Sequence, residues 1–251
     1  MEDAPLALSP CGLAELAPPA SSAYFLDVDG TLLEIKPRPE DVMASGDVLA
    51  LLRGLESAAG GALGLVSGRR IDDLDRIFFP LVFPAAGLHG AELRFANGQR
   101  VSCDGAALAI VRPAIVDYTK RHPKLRLEDK GASLAVHYRQ APELEIAVLA
   151  FLAERATENG LSVQPGKMVA ELKEARHDKG RGIAALYESP PFHGRKPLFI
   201  GDDLTDENGF DFVNACGGIS VRVGELKTTR ARFSFSSPSD VRAALYHLLD
   251  G

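Results

Sequence analysis

Residues 24–30 read YFLDVDG, an apolar run that ends in two carboxylates and a glycine. The apolar part is typical of a buried strand, and side chains two apart in a strand project to the same face, so Asp27 and Asp29 would lie side by side. Two like charges at this spacing repel, and neither is stable when buried without a partner. Gly30 permits a sharp turn, and Thr31 offers a hydroxyl to the backbone or to an anion. The stretch therefore predicts a core strand whose end needs a compensating cation.

Similar apolar runs alternate with helical patterns through most of the chain. Strands are predicted at 24–30, 62–68, 82–90, 196–203, 217–224 and 232–237. Helices are predicted between them and at the end, at 42–59, 72–78, 179–188, 206–215 and 239–249. Continuous apolar strands separated by helices are typical of a parallel sheet covered on both faces. The predicted fold class is α/β, with a doubly wound, mostly parallel, Rossmann-like core.

This alternation is interrupted by a different pattern between residues 106 and 174. A hairpin at 93–103, with Asn97-Gly98 at its turn, precedes the interruption. The order within it is helix, hairpin, helix, hairpin, which predicts an inserted α+β cap domain. The expected domains are a loosely held leader at 1–22, a first core segment at 23–105, a cap at 106–174 and a second core segment at 175–251.

Composition narrows the class of protein. The chain has 251 residues, 46% of them hydrophobic and 25% charged, and a formal net charge of −6, which gives no basic footprint for nucleic acid. The three cysteines are far apart and show no spacing typical of a zinc site or a disulfide framework. No apolar stretch is long enough to span a membrane, and the acidic N-terminus does not resemble a secretory signal. We therefore expect a cytoplasmic monomer that acts on a small molecule.

Polar clusters occur where the predicted core strands end or a helix begins, which is where open α/β sheets bind ligands. They comprise Asp27 and Asp29; Ser67, Gly68 and Arg69; Asp178, Lys179 and Gly180; and the run GDDLTD at 201–206. Carboxylates at this density favour a hard divalent cation such as Mg²⁺. A lysine suits a phosphate oxygen, a serine hydroxyl can hold another, and an aspartate can act as nucleophile. Each motif alone is more often a solvated turn, but together they predict phosphoryl transfer.

The four motifs together resemble those of the haloacid dehalogenase superfamily of phosphohydrolases. The resemblance rests on DVDGT at 27–31, Ser67, Lys179 and GDDLTD at 201–206. It implies an aspartyl-phosphate intermediate and Mg²⁺, with Ser67 and Lys179 among the catalytic residues.

The same resemblance implies a role for each aspartate. Asp27 would be the nucleophile and Asp29 the general acid/base. Mg²⁺ would be held by Asp27, the backbone carbonyl of Asp29, and Asp202. Asp203 and Asp206 would be partners behind the metal ligands.

The predicted cap carries polar clusters on its hairpins, in LEDKGASLAVHYR at 127–139 and PGKMVAELK at 165–173. A strand face that carries lysine and glutamate is normally a solvated face with cross-strand pairs. These stretches, with GLHG at 87–90, resemble the trehalose-6-phosphate phosphatases. The resemblance implies sugar contacts from the cap through Glu128, Lys130, Arg139, Lys167 and Glu171, and further substrate contacts from Arg69 and His89.

Two alternatives remain open from the sequence. One is a phosphatase for another sugar phosphate, such as sucrose phosphate or a glycosyl-glycerate phosphate. The other is a non-catalytic sensor of trehalose 6-phosphate, although a binding domain has no need of the nucleophile Asp27. His89 can equally be a packed core histidine.

Overall fold

The computed structural model describes residues 5–103, 105–166, 168–225 and 228–249. The chain divides into two compact units. The first combines Met1–Val101 with Asp178–Gly251, and the second is Ser102–His177. Each unit has its own cluster of buried apolar side chains.

The order of elements follows the α/β alternation. The strands are β1 (Leu6–Ala7), β2 (Ser22–Leu26), β3 (Leu63–Val66), β4 (Ala85–Gly87), β5 (Glu92–Arg94), β6 (Arg100–Ser102), β7 (Arg126–Asp129), β8 (Ser133–His137), β9 (Leu161–Gly166), β10 (Val169–Glu174), β11 (Lys196–Gly201), β12 (Ile219–Val223) and β13 (Phe233–Phe235). The helices are α1 (Pro10–Leu16), α2 (Gly46–Ala58), α3 (Ile71–Ile77), α4 (Ala106–Arg121), α5 (Glu145–Thr157), α6 (Lys179–Tyr187), α7 (Glu207–Ala215) and α8 (Pro238–His247). Among the described residues, no helix is long and apolar enough to cross a membrane.

The large sheet has nine strands among the described residues, in the order β1-β13-β12-β11-β2-β3-β4-β5-β6. Pairing is parallel from β1 through β4, and β5 pairs with β4 in the antiparallel sense. From β2 the chain adds strands in one direction and later, from β11, in the other. This is the doubly wound α/β sheet expected from the sequence. The reversal of direction lies between β2 and β11, where such folds bind ligands.

The central strands are continuous apolar runs because both faces of the sheet are covered. Every residue of β2, β3 and β12 is buried. In β2 this includes Tyr24, whose hydroxyl donates to the carbonyl of Ala17 at 2.5 Å. Burial on both faces removes the alternation of polar and apolar residues seen in half-exposed strands.

The predicted strand at 82–90 is shorter than expected. Only Ala85–Gly87 is extended, and the next three residues form a 3-10 turn with φ of 47° at Leu88 and 55° at His89. Positive φ is uncommon for residues with a Cβ, so local propensity gives no signal for this turn. Tertiary contacts hold it: the amide of His89 donates to the carbonyl of Ser67 at 3.0 Å.

The prediction of a loosely held leader is also wrong for the described part of residues 1–22. Ser9 caps α1 by accepting from the amide of Gly12 at 3.0 Å, and α1 packs against α8. Leu13 and Ala17 are buried, because residues four apart lie on one helical face. β1 adds to the sheet beside β13. The Pro and Ala content reflects a short capped helix rather than an unstructured segment.

The second unit contains a four-stranded antiparallel sheet in the order β7-β8-β10-β9. Its helices α4 and α5 supply buried residues such as Leu108, Ile115 and Leu152. The order helix, hairpin, helix, hairpin is the α+β pattern read from the sequence.

Candidate active site

The turn after β2 and the loop after β11 bring Asp27 and Asp202 together. β2 and β11 are paired in parallel with Leu26 opposite Ile200, so both chains turn at the same edge of the sheet. A Cβ on Gly30, which has φ of 83°, would lie 2.1 Å from Oδ2 of Asp202. Glycine is therefore required at residue 30, both by its backbone conformation and by the close approach of Asp202.

Lys179 is the buried cation of the site. Its Nζ donates to Oδ1 of Asp27 and to Oδ1 of Asp206, each at 2.6 Å. Asp178 caps α6 by accepting from the amide of Arg181 at 2.8 Å, which sets Lys179 at the first position of the helix. Burial alone lowers the pKa of Lys179, but the charges of Asp206 and Asp27 outweigh it and raise that pKa. The two carboxylates therefore favour the ammonium form of Lys179.

Three carboxylates, those of Asp27, Asp202 and Asp206, lie close together around this one ammonium group. Burial raises the pKa of Asp27 well above its usual value, Lys179 opposes the rise, and Asp206 and Asp202 add to it. Burial also raises the pKa of Asp202 to about 6, with Asp206 adding to the rise. One carboxylate oxygen from each of the three aspartates lies within 4.8 Å of the others. A largely buried all-oxygen cluster with surplus negative charge fits a hard divalent cation.

Asp206, expected to lie behind the metal ligands, also organises the loop after β11. Besides binding Lys179, its Oδ2 accepts from the amides of Asp202 and Asp203 at 2.9 and 2.8 Å. Asp203 caps the next turn, with Oδ1 accepting from the amide of Leu204 at 2.6 Å. The loop after β11 is thus folded around one carboxylate.

Asp29 is bound by Arg69. Nε of Arg69 donates to Oδ2 of Asp29 at 2.5 Å and Nη2 to Oδ1 at 2.7 Å, which is a bidentate ion pair. Burial alone would lower the pKa of Arg69, but the hydrogen bonds and charge of Asp29 raise it. Ser67 is buried, and its Oγ accepts from the amide of Arg69 at 3.1 Å. Arg69, predicted to contact substrate, here contacts the predicted acid/base.

His89 is buried in the turn after β4 and close to the loop after β3. A Cβ on Gly68 would lie 2.7 Å from Nε2 of His89, so a side chain at that position would collide with the imidazole. Gly90 has φ of 95° and packs so closely that a Cβ would lie 2.6 Å from the carbonyl oxygen of Asp178. His89 therefore lies beside the loop after β3, and the next residue, Gly90, lies against the start of α6.

The sequence did not point to one residue that shapes this site, Arg222, or to the partner of Thr31. Arg222 on β12 is buried, and its Nη2 donates to the carbonyl of Asp202 at 2.5 Å. The Thr31 hydroxyl donates to Oδ1 of Asp202 at 3.4 Å. An arginine within an apolar strand is a usable signal, because a buried guanidinium requires partners.

The predicted sugar-binding residues lie in the second unit, where several form cross-strand pairs. Nε2 of His137 lies 2.8 Å from Oε2 of Glu128, and Lys130 Nζ donates to Oε1 of Glu171 at 3.2 Å. Ser133 Oγ also donates to Oε1 of Glu171, at 2.5 Å. The hydrogen bond with His137 lowers the pKa of Glu128 although burial opposes this.

Two members of the predicted sugar-binding set are not among these pairs. Arg139 is exposed. Lys167 lies outside the described residues.

Known proteins resemble this chain in sequence. A family model described as trehalose-phosphatase matches residues 25–241. The trehalose-6-phosphate phosphatase of Escherichia coli (strain K12) is 42% identical over 226 residues, which cover 88% of this chain and 84% of that protein.

Solved structures share the fold. The crystal structure of a trehalose-6-phosphate phosphatase related protein is 27% identical, with a TM-score of 0.74 over 91% of this chain and 97% of that one. A haloacid dehalogenase-like hydrolase from Bacteroides thetaiotaomicron, at 16% identity, shares the fold with a TM-score of 0.68 over 90% of this chain and 98% of that one. Because the family model spans most of the sequence, this chain belongs to the trehalose-phosphatase family.

Proposed function

We propose that this protein hydrolyses trehalose 6-phosphate to trehalose and inorganic phosphate, as a cytoplasmic Mg²⁺-dependent enzyme of trehalose biosynthesis. The observation that carries this proposal is the buried contact of Lys179 with both Asp27 and Asp206 at 2.6 Å, beside Asp202. A nucleophile, a cation for phosphate and a carboxylate cluster are thereby held at one end of the sheet. The substrate is that named for the E. coli relative.

In the first chemical step, a carboxylate oxygen of Asp27 forms a bond to phosphorus while the bond from phosphorus to the sugar oxygen breaks. Asp29 gives its proton to that leaving oxygen, which departs as the sugar hydroxyl. Because both oxygens of Asp29 accept from Arg69 in an ion pair, this step requires Arg69 to release one of them and Asp29 to take up a proton from solvent at that oxygen beforehand.

In the second step, Asp29 takes a proton from water, and the oxygen of the resulting hydroxide attacks phosphorus. The bond to Asp27 breaks, inorganic phosphate leaves, and both carboxyl groups return to their starting states. Lys179 neutralises charge on the phosphoryl group through both steps, and Ser67 holds a phosphate oxygen.

Mg²⁺ is assigned to Asp27, the backbone carbonyl of Asp29, and Asp202, with Asp203 and Asp206 behind them. When bound, it supplies charge neutralisation at the phosphoryl oxygens. The cluster of oxygen ligands supports this choice over a softer metal.

Sugar recognition is assigned to Glu128, Lys130, Arg139, Lys167 and Glu171, together with Arg69 and His89. Carboxylates and cations already held in pairs, as Glu171 is by Lys130, are oriented before a ligand arrives. Such groups discriminate strongly, because a ligand without the matching hydroxyls leaves them unpaired.

A substrate panel tests the assignment. Phosphate release is measured with Mg²⁺ on trehalose 6-phosphate, sucrose 6-phosphate and a glycosyl-glycerate phosphate. We expect kcat/KM to be highest for trehalose 6-phosphate. A higher value for another sugar phosphate would reassign the substrate, and no release from any of them would favour the non-catalytic sensor.

A further inference from the structure

A second cluster of metal-ligating side chains lies in the second unit and is made of Cys103, Glu174 and His177. Sγ of Cys103 lies 3.0 Å from Oε1 of Glu174, and Nε2 of His177 lies 3.7 Å from Oε2 of Glu174. One ligand atom from each residue lies within 4.8 Å of the others. We propose that this Cys103 cluster binds one divalent cation of the zinc type.

The donor set selects the metal. A thiolate, an imidazole and a carboxylate suit Zn²⁺, whereas Mg²⁺ takes oxygen ligands almost exclusively. The Cys103 cluster therefore differs in chemistry from the all-aspartate cluster at Asp27, Asp202 and Asp206. Three protein ligands with a fourth position open to water is a common arrangement for protein-bound zinc.

The spacing is already close to that of a coordination sphere. With zinc–ligand bonds of roughly 2.0–2.3 Å, tetrahedral geometry keeps neighbouring ligand atoms roughly 3.3–3.6 Å apart. The separations of 3.0 and 3.7 Å lie near this range, although each is measured to a different oxygen of Glu174. One ligand atom from each residue lies within 4.8 Å of the others, so side-chain rotations that draw them together would complete the sphere.

A metal ion could replace the cation that now pairs with Glu174. Glu174 is buried, with 7% of its side chain exposed, and its charge is balanced by Arg176 at 2.6 Å. The Arg176 side chain is 63% exposed, so it can turn into water when a metal takes its place. Metal binding releases the Cys103 thiol proton to solvent, and the thiolate and carboxylate then cancel the two charges of the metal.

The ligands lie near the two ends of the second unit, Ser102–His177. Cys103 follows its first residue and His177 is its last, so one ion would join both ends and close a long loop. Closing a long loop restricts the unfolded chain, which stabilises the folded unit. Linear sequence gives no zinc spacing here, because Cys103 and Glu174 are 71 positions apart.

The test uses Co²⁺ as a spectroscopic probe on the full chain with excess Mg²⁺. Sulfur-ligated Co²⁺ gives a near-ultraviolet charge-transfer band that oxygen ligands do not give. We expect this band to saturate at one equivalent, to disappear on addition of Zn²⁺, and to be lost in Cys103→Ala. Cys216→Ala is the matched control, since this thiol is exposed and not in the cluster. Cys11→Ala is a second control. Sγ of Cys11 lies 3.4 Å from Nε2 of His247, so these two side chains could also bind Co²⁺.

Two further variants keep the test decisive if Cys103→Ala does not fold. Glu174→Gln and His177→Gln retain the thiol but remove a ligand, and each is checked for folding by circular dichroism without metal. Outer partners of metal ligands already contribute roughly 10–100-fold in affinity, so each change should weaken Co²⁺ binding by at least about tenfold. A wild-type chain without the band, a band that persists in Cys103→Ala, or unchanged affinity in both Gln variants would overturn the proposal.

Discussion

At the scale of single residues, the chemistry of Asp27 depends on a balance between burial and one ammonium group. Burial favours the neutral acid, and Lys179 at 2.6 Å favours the carboxylate needed for attack. Asp206 binds the same ammonium group, so Lys179 serves two carboxylates at once. A cation shared in this way holds the nucleophile in a fixed position while leaving negative charge for a metal to neutralise.

Asp27→Asn should abolish phosphate release and leave the fold intact. The amide fills the same volume and can still bond to Lys179, but it cannot attack phosphorus. The measurement is phosphate release from trehalose 6-phosphate, together with the thermal unfolding midpoint. Asp211→Asn on α7 is the control, because that carboxylate is half exposed and pairs only with Arg230 among the described residues. Substantial turnover by Asp27→Asn would rule out the acyl-phosphate mechanism.

At the scale of elements, the site depends on the loop after β11 and on the strand beside it. The loop wraps around Asp206 so tightly that a Cβ on Gly201 would lie 2.4 Å from its Cγ. From β12, Arg222 donates to the carbonyl of Asp202 at 2.5 Å, and its Nη1 lies 3.4 Å from Oε1 of Glu207. The position of Asp202 is therefore fixed from the neighbouring strand as well as from its own loop.

Arg222→Met should lower kcat and raise the Mg²⁺ concentration that gives half-maximal activity. The carbonyl of Asp202 loses the donor Arg222, so Asp202 is held less firmly for the metal. We expect a loss of about tenfold in kcat, equivalent to ~1.4 kcal/mol in the barrier. Arg232→Met is the control, since Arg232 is exposed just before β13. Unchanged kcat and Mg²⁺ dependence in Arg222→Met would show that the strand does not position the loop.

The cap sheet offers a substrate-selective test. Glu128→Ala and Glu171→Ala should each lower kcat/KM for trehalose 6-phosphate by about tenfold or more, the effect of ~1.4 kcal/mol from a lost polar contact. A small artificial phosphate ester has no sugar to recognise and should be hydrolysed at nearly the wild-type rate. Glu154→Ala on α5 is the exposed control.

Other outcomes for these cap variants separate the remaining explanations. No change on either substrate would mean that the Glu128–His137 and Lys130–Glu171 pairs only stabilise the sheet. Equal loss on both substrates would indicate a misfolded second unit.

Most elements could be predicted because their signals are local. The helix expected from residue 106 is α4, Ala106–Arg121, and the hairpin turn at Asn97-Gly98 joins β5 to β6. The features that were missed depend on distant partners. The positive φ of His89 and the donors from Arg222 have no counterpart in local propensity or spacing. Lys179 and the run GDDLTD could be identified from the sequence because open α/β sheets bind ligands where strands end and helices begin.

At the scale of the whole molecule, the two units carry different kinds of cluster. In the first unit, three aspartates face one lysine, which leaves a net negative charge. In the second unit, carboxylates are matched by nearby cations, as Glu171 is by Lys130 and Glu174 by Arg176. Of these clusters, the first therefore has the greater requirement for a hard divalent cation.

Chelation should remove activity reversibly. With excess chelator, phosphate release should fall to background, and Mg²⁺ should restore it, because Lys179 alone does not balance three carboxylates. Ca²⁺ should restore it poorly, since its looser and higher coordination disturbs in-line attack. The measurement is the initial rate after each addition. Full activity in excess chelator would refute the metal assignment.

The most direct test of the central claim is mass spectrometry of peptides from enzyme quenched in acid during turnover of trehalose 6-phosphate with Mg²⁺. Attack by Asp27 predicts phosphate on the peptide that contains residues 24–30, and none on that peptide without substrate or in Asp27→Asn. Phosphate on a different residue, or an unmodified peptide from enzyme that is turning over substrate, would contradict hydrolysis through Asp27.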